Sequence, residues 1–421
     1  MVSLDRRAFL VRSGLALAAA GLLEAENDEA VAAPEATPLS WRAVRAQFRL
    51  TPLYGHLGGL LLASHPTAVR RAIETHRRGL DRNPVHYLHE RGPALEARVL
   101  TAAASYLGAR PTDIALTDST TMGLGLLYNG LELRAGQEVL TTEHDFFATH
   151  ESLRLKAERS GASVRRVRLY DRAEAASADA IVENLMRGVG SRTRVVAITW
   201  VHSSTGVKLP VRRIADALDE VNARRGDRDR IFLCVDGVHG LGVENVTVSG
   251  LGCDFLVAGC HKWLFGPRGT GIVWGHPRAW PFAGATIPSF SGGGPGAYMT
   301  PGGFHSFEHR WALAEAFRFH RGLGKERVER RIHLLNRRLK TGLASMSHVT
   351  LKTPRADNLS AGLVCFEVRG LSPSAVVAAL RRRRIIGTVT PYSPSYARLA
   401  PGLLNTPTDV DRALAAIRAL R

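Results

Sequence analysis

Two residues, each closing an apolar run, carry the chemistry open to this chain. The stretch Asp254-Phe255-Leu256-Val257-Ala258-Gly259-Cys260-His261-Lys262 reads as a buried strand that delivers Lys262 to a fixed point. The Gly/Pro-rich Phe265-Gly266-Pro267-Arg268-Gly269-Thr270-Gly271 behind it reads as loop. Lysine is sparse in this arginine-rich chain, so a lysine placed there is not an ordinary solvated charge. Burial lowers the pKa of such an amine and makes it nucleophilic toward an aldehyde, pyridoxal phosphate being the biological example. Upstream, Arg230-Ile231-Phe232-Leu233-Cys234-Val235-Asp236 is a second apolar strand, with Asp236 at the carboxyl end where ligands of open α/β sheets gather. A carboxylate beside a pyridine nitrogen keeps that nitrogen protonated, which is what makes pyridoxal phosphate an electron sink. Alone, an Asp after a strand is more commonly a turn or cap residue. Paired with Lys262 it reads as half of a cofactor site.

Val235-Asp236-Gly237-Val238-His239, followed by Gly259-Cys260-His261-Lys262-Trp263-Leu264-Phe265-Gly266-Pro267-Arg268-Gly269, resembles the class V aminotransferase family of fold type I pyridoxal phosphate enzymes. That family includes cysteine desulfurases and isopenicillin N epimerase-like proteins. The resemblance runs from about Thr51 to the C-terminus. It implies an α/β fold with a large domain over residues 67–307, built on a mainly parallel seven-stranded sheet, and a smaller α+β C-terminal domain over 308–421. Residues 33–66 would be a linker and an N-terminal segment bordering the substrate entrance.

The same resemblance distributes roles. Thr117-Asp118-Ser119-Thr120-Thr121-Met122-Gly123 joins a strand to a helix, a geometry that suits either an anion or a plain helix cap. The family places the cofactor phosphate there, which implicates Thr120 and Thr121, with His261 approaching it. His144 matches a histidine that stacks on the pyridine ring. His239 stands where desulfurases usually carry glutamine, within reach of the ring hydroxyl, and Ser203 matches a position near cofactor and substrate. Arg398, in Tyr396-Ala397-Arg398-Leu399-Ala400-Pro401, would grip an α-carboxylate through its planar fork. A homodimer is implied, with Ser306 the candidate for a phosphate contact crossing to the neighbouring subunit. Two departures stand out. Gly387-Thr388-Val389-Thr390-Pro391-Tyr392 replaces the loop on which desulfurases carry a nucleophilic cysteine, and Gly302-Gly303-Phe304-His305-Ser306 replaces the usual subunit-crossing Gly-Thr.

Composition narrows the alternatives. A chain of 421 residues, 45% hydrophobic, buries a large core with room for a second, smaller domain. Its formal charge of +18 could attract nucleic acid or anionic surfaces, but the arginines are scattered and no nucleic-acid-binding motif accompanies them, so nucleic acid is not an expected partner. Four cysteines do not make a disulfide framework, and Cys234, Cys260 and Cys365 lie in apolar runs as small core residues.

Positioning these residues requires alternating strands and helices. Strands are expected at 113–117, 138–141, 194–201 and 231–235, and helices at 93–107, 121–131, 149–159, 178–189 and 211–224, a pattern of a mainly parallel sheet covered on both faces. A long charged helical stretch from Glu308 through Lys340, a strand at 362–368, a helix from Pro373 to Arg384 and a last helix after Thr406-Pro407 complete the chain. At the start, Asp5-Arg6-Arg7-Ala8-Phe9-Leu10, the apolar run 14–23 and the small-residue site Ala30-Val31-Ala32 have the layout of a cleavable twin-arginine export signal over residues 1–32 rather than a permanent membrane anchor. The expectation is an exported, periplasmic or extracellular enzyme acting at the α-carbon of a small amino-acid-like or peptide substrate. The signal and motifs together resemble exported family members that tailor secondary metabolites such as siderophores. Oxidative decarboxylation, transamination and epimerisation are all open, as is C–S lysis. A catalytically inactive basic binding protein is the remaining alternative, and the intact Lys262, Asp236 and His144 argue against it.

Overall fold

The apolar runs marked as strands lie side by side in the computed structural model, which describes residues 39–420; the export signal expected over residues 1–32 lies outside the described residues. In chain order the large sheet comprises β1 (Ile114–Thr117), β2 (Glu138–Thr142), β3 (Ser163–Val167), β4 (Thr193–Thr199), β5 (Phe232–Asp236), β6 (Phe255–Gly259) and β7 (Gly271–Gly275). Their spatial order is β1-β7-β6-β5-β4-β2-β3. Only β7 runs against its neighbours, so the other six strands share one direction. The seven-stranded, mainly parallel sheet expected from the sequence is therefore present.

Six of these strands are buried along their whole length because helices cover both faces of the sheet, as parallel sheets require. Alternate residues divide between two cores. Leu233, Val235, Leu256 and Ala258 face one side, and Phe232, Cys234, Phe255 and Val257 the other. The exception is β3, whose Ser-Val-Arg-Arg-Val sequence is largely exposed at the sheet edge. Its arginines guard that edge against further pairing, and its polarity is why the apolar pattern passes over it. β7 also escaped the pattern, because glycines at both its ends make it look like more of the preceding loop.

The helices are α1 (Thr67–Arg82), α2 (Pro84–Leu107), α3 (Thr120–Gly130), α4 (Phe147–Ser160), α5 (Ala178–Gly188), α6 (Val211–Asn222), α7 (Phe307–Gly322), α8 (Lys325–Ala344), α9 (Pro373–Arg382) and α10 (Pro407–Arg418). Two expectations need correction. Helix α2 begins at Pro84, not Pro93, and Pro93 sits inside it. The first proline suits an N1 position, and burial of Leu95, Val99 and Ala103 holds the helix together past the second. The charged stretch after Glu308 is two helices, because Gly324 turns the backbone at φ 80° between α7 and α8. The final helix starts with a capping box in which Thr406 and Asp409 satisfy each other's backbone N–H groups.

A second, antiparallel sheet is built from β8 (Val349–Leu351), β9 (Val364–Val368), β10 (Thr388–Val389) and β11 (Ala397–Leu399), in the order β10-β11-β9-β8. Its core of Val364, Phe366, Leu399, Leu335, Val376 and Ile417 lies against α8, α9 and α10. The N-terminal segment is stitched to this part of the chain, Gly55–His56 pairing in parallel with Ile385–Ile386. Folded structure begins ahead of Thr51: a helix at Trp41–Ala46, capped by Ser40, buries Val44. No described helix is long and apolar enough to cross a membrane.

Candidate active site

With six strands aligned, the turns after β1, β2, β4, β5 and β6 open on one edge of the sheet. That edge collects most of the expected site residues. Asp236 is the last residue of β5 and is 2% exposed. Its carboxylate accepts from the Val238 N–H at 3.0 Å, and burial pushes its pKa up to about 6 against the opposing effects of that bond and of Lys262. Lys262 lies three residues past the end of β6, in a tight turn closed by Phe265 N–H to the Lys262 carbonyl (3.2 Å) and Gly266 N–H to the Cys260 carbonyl (2.8 Å). Phe265 holds φ 61°, a left-handed conformation costly for a bulky residue and kept here by burial against Phe48, ring centroids 5.0 Å apart. The amine so placed has its pKa brought down to about 8, chiefly by burial; Asp236 opposes the shift and Arg398 adds to it. About a tenth of Lys262 is thus the free, nucleophilic amine at neutral pH, far more than for a solvated lysine.

At the end of β1, Ser119 caps α3 by accepting from the Met122 N–H at 3.1 Å. Thr120 takes the first helical position, its Oγ1 accepting from the Gly259 N–H at 2.8 Å. A Cβ at Gly259 would stand 3.0 Å from Thr120 Oγ1 and 3.1 Å from His261 Cε1, so the glycine is what lets the helix terminus and His261 converge. Nδ1 of His261 is buried without a hydrogen-bond partner. A helix amino terminus, two threonine hydroxyls and an orphaned imidazole nitrogen form a donor set for a phosphate group. Thr121 is exposed at that terminus. Ser306 precedes α7 and lines a cavity of about 330 Å3 with Thr117, Asp118 and Gly271, next to the same turn.

His144 follows β2. Its ring Nε2 accepts from the Leu169 N–H at 3.2 Å, and burial brings its pKa down to about 3, so it is neutral. His239, 4% exposed, accepts at Nδ1 from the Trp263 indole N–H at 3.2 Å, which leaves Nε2–H as its donor. Arg398, 2% exposed, donates from Nε to Thr388 Oγ1 at 3.0 Å and from Nη1 to the Ser203 carbonyl at 2.5 Å. The Ser203 hydroxyl pairs with the Tyr392 hydroxyl at 2.6 Å.

Four participants carry no motif of their own and were missed by sequence reasoning. Asp145 receives the Thr199 N–H (2.7 Å), the Thr142 N–H and the Thr141 hydroxyl (2.8 Å each), tying the turn after β2 to the end of β4. His202 and Tyr170, from the segments after β4 and β3, are joined Nδ1 to hydroxyl at 2.9 Å. Tyr392 comes from the turn between β10 and β11, its ring packed edge to face against Phe146 with centroids 6.2 Å apart and its phenol pushed up to about 12 by burial. The one available signal was that Asp145 and His202 sit beside residues already assigned.

This fold and donor set define a pyridoxal-phosphate-dependent enzyme: Lys262 would hold the cofactor covalently, Asp236 would face its ring nitrogen, His239 its ring hydroxyl, and the α3 terminus with His261 its phosphate. The profile of the Aminotransferase class-V family matches residues 64–389, and the chain belongs to that family. It is 27% identical over 407 residues to isopenicillin N epimerase of Streptomyces clavuligerus, covering 90% of this chain and 98% of that protein. With a probable cysteine desulfurase of Pseudomonas aeruginosa it shares 28% over 264 residues, 59% of this chain and 62% of the other. Among solved structures, a C-DES variant with glycine covalently linked to the PLP cofactor superposes with a TM-score of 0.81 at 22% identity, covering 89% of this chain and 99% of that one. The cystine C-S lyase C-DES in complex with cysteine persulfide gives a TM-score of 0.79 at 22% identity, covering 87% and 97%. These two likenesses bear on the fold.

Proposed function

We propose that this chain is an exported enzyme that removes a proton from, or otherwise opens a bond at, the α-carbon of an amino-acid moiety in a secondary metabolite, siderophore-type peptides included. The observation that carries the reading is the convergence on Lys262 of a buried carboxylate, Asp236, and a buried guanidinium, Arg398. Pyridoxal phosphate supplies the electron sink for the bond that breaks. Arg398 would offer its remaining N–H groups to a substrate carboxylate, Ser203 and Tyr392 would close the same side, and the Lys262 amine would be the base that takes the α-proton and can return it. Asp236 would serve as the anionic partner that keeps the pyridine nitrogen protonated. The likeness to isopenicillin N epimerase along nearly the whole chain supports epimerisation as the outcome. All four cysteines are buried, which removes the exposed thiol that persulfide chemistry needs. Export rests on Arg6-Arg7 and the apolar run behind them, a twin-arginine route for a folded, cofactor-loaded protein. A homodimer, with Ser306 of each subunit near the other's phosphate site, belongs to the same reading.

Product mass measured together with oxygen consumption tests it on candidate amino acids and siderophore-type peptides. Epimerisation leaves mass unchanged in H2O and replaces the α-proton with a deuteron in D2O. Oxidative decarboxylation removes the carboxyl group and consumes oxygen; transamination needs a keto-acid partner and exchanges the amino group for a carbonyl. Alanine formed from cysteine, with a persulfide on the protein, would sink the reading.

A further inference from the structure

Tyr170 would touch neither cofactor nor substrate in the reading above, yet its ring lies flat on His144, centroids 3.9 Å apart and planes 11° from parallel. The stack is held from behind. The Tyr170 hydroxyl bonds His202 Nδ1 and Thr205 Oγ1, both at 2.9 Å. His202 is fully buried, its Nε2 without a hydrogen-bond partner and 3.9 Å from Asp145 Oδ1. At the ring edge, the Leu169 N–H fixes Nε2 of His144 at 3.2 Å. Three neighbouring strands, β2, β3 and β4, thus send one residue each into a single buried assembly: His144, Tyr170 and His202. An imidazole has two faces, and Tyr170 occupies one of them.

We propose that Tyr170 is a positioning residue for the cofactor, pinning the His144 imidazole so that its other face is the one available to the pyridine ring. The proposal rests on the reading of His144 as the residue that stacks on pyridoxal phosphate. Burial keeps both imidazoles neutral, so the stack is between uncharged rings, and the hydroxyl contacts anchor the tip of the tyrosine while the packed imidazole sets the plane of its ring. Offset or parallel aromatic pairs of this kind contribute measurably beyond the area they bury.

The experiment is a double-mutant cycle read by the dissociation constant of pyridoxal phosphate for the cofactor-free protein, with the visible absorption maximum of the reconstituted enzyme as second readout. Tyr170→Met fills the volume without a ring plane; it should weaken binding roughly 3- to 10-fold and move the absorption maximum. Tyr170→Phe keeps the plane and should restore binding to within about twofold. In a His144→Ala background, Tyr170→Met should change binding by less than about twofold, because the residue through which it acts is gone. Equal losses in both backgrounds would make Tyr170 merely structural and overturn the proposal. No loss from Tyr170→Met while His144→Ala weakens binding overturns it while leaving the His144 reading in place. No loss from His144→Ala overturns both. Should Tyr170→Met fail to fold, the His144 Cε1–H resonance of the wild-type protein decides: a ring-current upfield shift that Tyr170→Phe preserves supports the stack, and an unshifted resonance refutes it.

Discussion

The guanidinium of Arg398 donates to the main-chain carbonyl of Ser203 at 2.5 Å, joining β11 of the small sheet to the loop that follows β4 of the large one. With Nε held by Thr388, the group is oriented by two protein contacts before any substrate arrives. Arg398→Lys keeps the charge and loses the fork, so kcat/KM for a substrate with a free α-carboxylate should fall roughly 10- to 100-fold. The penalty should vanish for the carboxyl-blocked form of the same substrate. An equal loss for both forms would show that Arg398 only supports the loop.

Lys262 titrates near 8 in the cofactor-free protein, below the ordinary 10.5, because burial disfavours its charged form. The rate at which that protein takes up pyridoxal phosphate should therefore climb about tenfold per pH unit below 7 and level off above about 9. A rate still climbing at pH 10 would mean the amine is ordinary and solvated. Lys262→Ala should fold, bind the cofactor without a borohydride-reducible link, and have no turnover.

Asp236→Asn tests the electron sink. The cofactor should remain bound, since the Lys262 link and the phosphate-holding residues are unchanged, while kcat falls at least about 100-fold as the ring nitrogen loses its anionic partner. Spectral titration of the bound cofactor and steady-state rates measure both. Undiminished turnover would refute the role.

Cys365 lies opposite Arg398 in the β9–β11 register, has no exposure, and has its thiol pushed up to about 12 by burial. Its sulfur is neither ionised nor reachable at neutral pH. Cys365→Ala should leave turnover within about threefold of the wild type, and cysteine should deposit no persulfide on the protein, as judged by intact mass.

Gly206 turns the Ser203 loop at φ 79°, and a Cβ there would stand 2.6 Å from the Leu363 carbonyl oxygen, a main-chain atom that cannot step aside. Gly206→Ala combines a left-handed alanine with that clash and should cost about 2–4 kcal/mol, seen as a lower unfolding midpoint. Because the same turn carries Ser203, KM should rise with it. A variant as stable as the wild type would show that the loop can relax.

The sequence by itself determined the residues whose neighbours in the chain announce them. Lys262 and Asp236 close apolar runs long enough to be buried strands, and such runs leave little freedom about where their ends lie. The order and spacing of those motifs also carried the fold, with its mainly parallel sheet. Tertiary structure alone decided the rest. The exposed edge strand β3 has no apolar pattern to find, and β7 begins and ends in glycine. Pro93 reads locally as a helix start, and only packing shows that the helix runs through it from Pro84. Tyr170, His202 and Asp145 come from three separate loops and acquire meaning through hydrogen bonds across the sheet edge, at separations of 32 to 54 residues in the chain. A pattern confined to neighbouring residues holds no information about such contacts, because what creates them is the parallel alignment of strands that brings their carboxyl ends together.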